Sequence, residues 1–384
     1  MSTLFLHIEK HQLKFIKPAK TSRGEYIQKD VWIVGVSNER IRENIFGEGL
    51  DYQPWFENYR QKKKEDPTLP LCIGFGEAAP LPDLSVDGKF DLLEVMNPYV
   101  GRAISLVEIK DLLLSWQPRS SKPFQAGLTE TGFYPTLRFA LHCALEQYSN
   151  GGLDTWHRNG FTEKQTGIRI NGLVWMNEVD AMYEEAKAKI GDGFGCIKFK
   201  VGALDFDAEC RLIEKIRKEF GESKLEIRLD ANGAFAEADA LEKLKELQRF
   251  HVHSIEQPIK AGSEFLEEMI AKSMIPVALD EELIGLSLES GALLLKRTKP
   301  HYIILKPTLL GGLDLSDEWI KLASKGNIGW WSTSALEGNV GLYSIAHWVS
   351  NKHISMPQGL GTGSLYKTNF SSETYIAGES LWKR

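Results

Sequence analysis

Two lysines one residue apart, Lys198 and Lys200, sit in an apolar, strand-forming run that closes at Gly202. On a strand, side chains alternate between faces, so both lysines point the same way. Alone, such a pair is ordinary on a surface strand. Here four more charges follow it, each near the end of a short apolar run. Asp230 lies in Arg228-Leu229-Asp230-Ala231-Asn232, Glu256 in Ser254-Ile255-Glu256-Gln257-Pro258, Asp280 in Ala278-Leu279-Asp280-Glu281, and Lys306 in Ile303-Ile304-Leu305-Lys306-Pro307. The intervals run from 24 to 30 residues, enough for one strand, one helix and two loops. The charges therefore recur at one level of successive strands, at their C-terminal ends. In a barrel of alternating strands and helices that level is the mouth, where active sites lie.

Asp230, Glu256 and Asp280 form an all-oxygen set without Cys or His, which suits a hard cation, Mg2+ with Mn2+ as a substitute. The competing reading is an ion-pair network in the barrel core, with the carboxylates satisfied by lysines and no metal. Lys200 and Lys306 would face each other across the mouth. A nearby cation, and Lys198 beside Lys200, would disfavour the charged ammonium and tune a lysine toward a general base. Cation and base together would remove a proton next to a carboxylate and stabilise the resulting enediolate.

These groups must be held by a scaffold that 384 residues can supply as a barrel plus a smaller domain. The β/α alternation starts near residue 167 with a strand over 168–175 and continues through strands at 196–201, 225–232, 253–258, 276–281, 302–307, 329–334 and 354–356. Ser316 is a plausible cap for the helix that ends near Gly326. Pro135 opens an earlier amphipathic helix carrying Leu137, Leu141 and Leu145. Upstream, strands over 3–16 and 30–37 flank a polar loop at 17–24, and Gly74 to Pro82 ends a third strand. Alternation puts one of Trp330 and Trp331 inside the barrel and the other in the helix layer. The expected domains are a cap over 1–130, a barrel over 131–360 and a tail over 361–384 that packs with the cap.

A net charge of −6 argues against nucleic-acid or anionic-membrane partners. No apolar run reaches the ~20 residues of a membrane span, and the N-terminus lacks a signal-peptide core. Four cysteines without Cys-x-x-Cys spacing read as reduced thiols. The expected location is cytoplasmic, and no oligomeric state is fixed.

Lys198-x-Lys200, Asp230-Ala231-Asn232, Glu256-Gln257-Pro258, Asp280-Glu281 and Lys306-Pro307-Thr308-Leu309 resemble the muconate-lactonizing subgroup of the enolase superfamily. Gly76-Glu77-Ala78-Ala79-Pro80 is typical of its capping domain. The resemblance implies an α/β fold: a modified (β/α)7β TIM-type barrel with an α+β cap built from the N-terminal region and the C-terminal tail. It also implies Asp230, Glu256 and Asp280 as Mg2+ ligands and Lys200 and Lys306 as catalytic groups. Lys198, Arg228, Asn232 and Glu281 would support them.

Within the subgroup the chain is similar to the o-succinylbenzoate synthase family. The similarity rests on Arg228, on the run from Lys306 to Gly312, on Ser332-Thr333-Ser334-Ala335-Leu336-Glu337, and on the glycine loop 359–363. That implies Mg2+-dependent syn dehydration of 2-succinyl-6-hydroxy-2,4-cyclohexadiene-1-carboxylate, a small-molecule carboxylate, to o-succinylbenzoate in menaquinone biosynthesis. Thr333, Ser334, Gly359, Gly361 and Arg23 of the polar N-terminal loop would contact substrate. The glycines read equally as a tight turn. The alternatives are 1,1-proton transfer (an N-acylamino acid racemase or dipeptide epimerase) and a barrel kept without activity. The Asp-x-Asp typical of dipeptide epimerases after strand eight is missing, and the presence of all five charges opposes a lost enzyme.

Overall fold

The N-terminal residues alternate apolar and polar side chains and pair as antiparallel strands in a computed structural model. It describes residues 3–21, 24–41, 61, 65, 72–124, 132–152 and 157–384. Strands β1 (Leu4–Thr21), β2 (Gly24–Ser37), β3 (Ile73–Ala78) and β4 (Ala103–Ile104) make the cap sheet. β1 and β2 run well into the segment expected to be a loop, with a register shift between Lys14 and Ala19 and pairing to Thr21 and Gly24. Arg23 lies outside the described residues.

One face of this sheet carries Leu4, Leu6, Val34 and Val36 against the helix Pro135–Ser149. That helix lies so close to β3 that a Cβ on Gly76 would come within 2.0 Å of the Ala140 carbonyl oxygen. The other face carries Leu13, Val31, Ile33 and Phe75 and packs on barrel-loop residues Leu309, Ala335 and Leu336.

After β5 (Ile168–Arg169) come β6 (Gly172–Val174), β7 (Cys196–Lys200), β8 (Glu226–Asp230), β9 (Ser254–Glu256), β10 (Val277–Leu279), β11 (Tyr302–Leu305) and β12 (Gly329–Ser332). β6 to β12 pair in parallel, in chain order, with helices between them. On β7, Ile197 and Phe199 join the core between sheet and helices, which leaves Lys198 and Lys200 to the barrel interior. Trp331 is fully buried inside, while Trp330 packs on Trp348 of the helix Asn339–Ser350.

Three further elements differ from the sequence reading. The eighth position is filled by Gln358 and Gly359, which bridge to Ile170 and Thr333, and not by the apolar residues at 354–356. Closure requires main-chain pairing on two sides, and the Gln358 side chain adds to it by accepting from the Ser332 N–H at 2.7 Å. The expected first strand breaks at residues 170 and 171 because β5 turns to pair with the tail. Of the tail strands β13 (Tyr366–Thr368), β14 (Thr374–Ala377) and β15 (Ser380–Lys383), β13 joins β1 and β15 joins β5. Finally, the helix ending at Lys325 begins at Leu313, so Ser316 lies inside it, bonded to the Gly312 carbonyl. Among the described residues, no helix is long and apolar enough to cross a membrane.

The helix Pro135–Ser149 has no side-chain cap from its own preceding residue. Asp87, far off in sequence, supplies one: its carboxylate accepts from the Thr136 N–H at 2.9 Å, the Thr136 hydroxyl at 2.7 Å and the Leu137 N–H at 3.3 Å. Asp87→Ala leaves those buried donors unmet and is expected to lower unfolding free energy by about 2 kcal/mol. Urea denaturation measures it; an unchanged midpoint would show that the cap contributes nothing.

Candidate active site at the barrel mouth

β7 ends with Lys200 opposite Asp230, and β8 places Asp230 opposite Glu256, so the strand register alone aligns three charges. Asp280 and Lys306 follow directly on β10 and β11. Lys198 Nζ lies 3.2 Å from Asp230 Oδ2 and 3.0 Å from Glu256 Oε2. Lys200 Nζ donates to Asp230 Oδ2 and to Asn232 Oδ1, both at 2.7 Å. Asn232 in turn donates to Glu281 Oε1 at 3.0 Å. Lys306 Nζ pairs with Asp280. Gln257, whose φ is +36°, turns its side chain to accept from the N–H groups of Asp280 and Glu282 and so fixes the end of β10. The motif around Glu256 contains Gln257, but no local pattern marks this task.

Lys200, Lys306, Lys198, Asp230, Asn232, Thr333, Ser334, Gly359 and Gly361 border one cleft. Tyr26, Leu81 and Leu84 from the cap, with Leu173, Trp175 and Leu336 from the barrel, add an apolar wall. The first three are far from the barrel in sequence, and no local pattern marks them. Arg228 is placed elsewhere. It shares the inward face of β8 with Asp230 but lies two residues deeper, with its guanidinium 4.2 Å from the Trp331 ring and donating to the Pro357 carbonyl.

The electrostatics separate Lys200 from Lys306. Burial lowers the Lys200 pKa, aided by Lys198 and Lys306 and opposed by Asp230. Burial is the largest influence on Lys306 and lowers its pKa, but Asp280, Glu281 and Asp230 together outweigh it and hold the ammonium charged. Burial pushes Glu256 up to about 8, with Asp230 and Asp280 adding repulsion against the pull of Lys198. Among the described residues, no group of three or more His, Cys, Asp or Glu side chains converges into a preformed metal cluster. The ammonium groups stand between the carboxylates, as the ion-pair reading expected. The donor set nonetheless fits a hard cation, because Glu256 Oε1 is buried with no hydrogen-bond partner among the described residues.

Residues 181–363 match the model of the family described as "Enolase C-terminal domain-like". The o-succinylbenzoate synthase of Desulfotalea psychrophila is 38% identical over 396 residues, covering 99% of each chain. The chain belongs to the o-succinylbenzoate synthase family of the enolase superfamily. The crystal structure of MenC from Desulfotalea psychrophila superposes with a TM-score of 0.77 at 34% identity, covering 99% of this chain and 100% of that one. The L-Ala-D/L-Glu epimerase of Bacillus subtilis, with a TM-score of 0.72 at 18% identity and coverage of 100% and 97%, shares the fold. Family membership accounts for the capped barrel seen here.

Lys198 offsets two buried carboxylates at once. Lys198→Met leaves them facing each other and is expected to cost about 3 kcal/mol of stability in EDTA at pH 8. Denaturation with urea tests this, and a loss below about 1 kcal/mol would mean the carboxylates take up protons instead.

Proposed function

We propose that this chain dehydrates 2-succinyl-6-hydroxy-2,4-cyclohexadiene-1-carboxylate to o-succinylbenzoate. The observation that carries the reading is a lysine whose pKa burial lowers and one whose pKa is raised, on opposite strands of a single cleft, Lys200 and Lys306. The 38%-identical relative supports the choice of substrate. So does the lining: Asp230 is the one acidic side chain among the described lining residues. No second carboxylate waits there for the ammonium of a dipeptide.

Asp230, Glu256 and Asp280 would hold Mg2+, which supplies Lewis-acid stabilisation to the substrate carboxylate as negative charge builds on it. Lys200 takes the proton α to the ring carboxylate. Asn232 holds its Nζ in place by accepting one hydrogen. The ammonium so formed returns that proton to the hydroxyl leaving from the same face, so one C–H and one C–O bond break and water departs. Lys306 remains charged beside the ring and stabilises the enediolate across it. The apolar wall of Leu81, Leu84 and Trp175 excludes water around the ring. Aromatisation then drives the reaction forward.

Purified protein with Mg2+ is expected to remove the diene absorbance of the substrate, and EDTA is expected to stop it. Lys200→Ala is expected to lower the rate by about 10^3-fold, the scale of a lost general base. If the diene persists while N-succinylamino acids exchange their α-proton in D2O, the 1,1-proton-transfer reading replaces this one.

A further inference from the structure

Ser334, Ala335 and Leu336 form one wall of the cleft, and Leu336 holds a φ of +61°, a strained conformation for a side chain of its size. Such a shape persists only where its surroundings over-determine it. The surroundings here are three fully buried charges that the reaction does not use: Glu337 from the barrel, and Lys29 and Glu77 from the cap.

Glu337 accepts from the Ser334 hydroxyl at 2.6 Å, the Ala335 N–H at 2.9 Å and the Thr308 hydroxyl at 2.5 Å. Thr308 follows Lys306 by two residues, so one carboxylate ties the wall to the segment that carries the charged lysine. Lys29 Nζ donates to the carbonyls of Ala335 and Leu336, both at 2.9 Å, and the Tyr366 hydroxyl reaches the same Leu336 carbonyl at 2.6 Å. Glu77 fixes the far side by accepting from Gly338 and Gly341 at 2.6 and 2.8 Å. A Cβ on Gly341 would press within 2.9 Å of Glu337 Cβ, so the close approach also needs that glycine. The Ser334 hydroxyl spends its hydrogen on Glu337 and accepts from Thr362 and the Leu336 N–H. It keeps no hydrogen for a ligand.

We propose that Glu337 is a positioning residue which, together with Lys29 from the cap, holds the 334–336 wall in its strained shape and so sets substrate affinity. Ser334 acts through its place in this wall and not as a donor to substrate. The proposal rests on the cleft being the site of the dehydration above.

Steady-state kinetics on the Mg2+-loaded full chain with the cyclohexadiene substrate, alongside melting temperatures, test it. Glu337→Gln presents an amide N–H2 where an acceptor is needed, and Lys29→Met frees two carbonyls. Each is expected to raise KM by about tenfold with kcat within about threefold of wild type. Thr308→Val loses one hydrogen bond at constant shape and is expected to raise KM by about threefold. Asp87→Ala, whose hydrogen bonds go to the helix Pro135–Ser149 and not to the wall, is expected to lower the melting temperature without moving KM. A purely structural role would give Glu337→Gln and Thr308→Val the same pattern as Asp87→Ala, and that result overturns the proposal. Should Glu337→Gln not fold, Thr308→Val decides the matter by the same criterion. A wild type inactive on the diene overturns the assigned reaction, and this inference with it.

Discussion

Charge balance in a space closed to water governs this molecule. Lys198, Lys200 and Lys306 share the barrel mouth with Asp230, Glu256, Asp280 and Glu281, and almost all of them are buried. An unpaired charge there would cost several kcal/mol, a large part of the total stability of any domain. Each group is therefore placed against an opposite charge or a hydrogen-bond donor, and the backbone follows. Gln257 bends the end of β9 to hold β10, and Asn232 takes positive φ so that its amide lies between Lys200 and Glu281. The same balance distinguishes the three lysines from one another. Lys200 is the ammonium least compensated by carboxylates, so it is the one that burial can bring toward neutrality.

The cap extends this economy of charge to the wall of the cleft. Its inner sheet face is apolar from Leu13 to Phe75, yet it sends Lys29 and Glu77 into the interface with the barrel. Leucines in both places could not hold the carbonyls of Ala335 and Leu336 in one position. Buried hydrogen-bonded charges are poor sources of net stability and good sources of uniqueness. Apolar contact seats the cap; ionic contact fixes where the barrel wall stands beneath it.

The mouth was legible in the sequence because two periods coincide there. Alternation along β7 puts both lysines on one face, and the β/α repeat brings each later charge to the same level. Those periods fix the face and the order of strands, but not depth, which is why Arg228 reads like Asp230 and yet lies a layer below it on Trp331. The closing position was hidden for a related reason. Gln358 and Gly359 close the barrel through main-chain groups, and an apolar pattern at 354–356 gives no hint of that. Asp87, Lys29 and Glu337 act over long sequence separations, and each resembles an ordinary polar residue until the fold brings its partner to it.

Ion pairing and metal binding, opposed readings of the three carboxylates, are compatible in this geometry. A carboxylate has about four acceptor positions, and a lysine uses one of them. Lys198 engages Glu256 through Oε2 alone, which leaves Oε1 buried and without a hydrogen-bond partner among the described residues. Asp230 gives Oδ2 to both lysines of β7 and turns Oδ1 to the Asn232 N–H. The ammonium groups thus hold the carboxylates in register on adjacent strands while leaving acceptor capacity unused. A barrel built on lysines alone would have no reason to keep Glu256 Oε1 orphaned, because a nearby donor would remove that penalty at little structural cost. The orphaned oxygen is an acceptor that a hard cation would use.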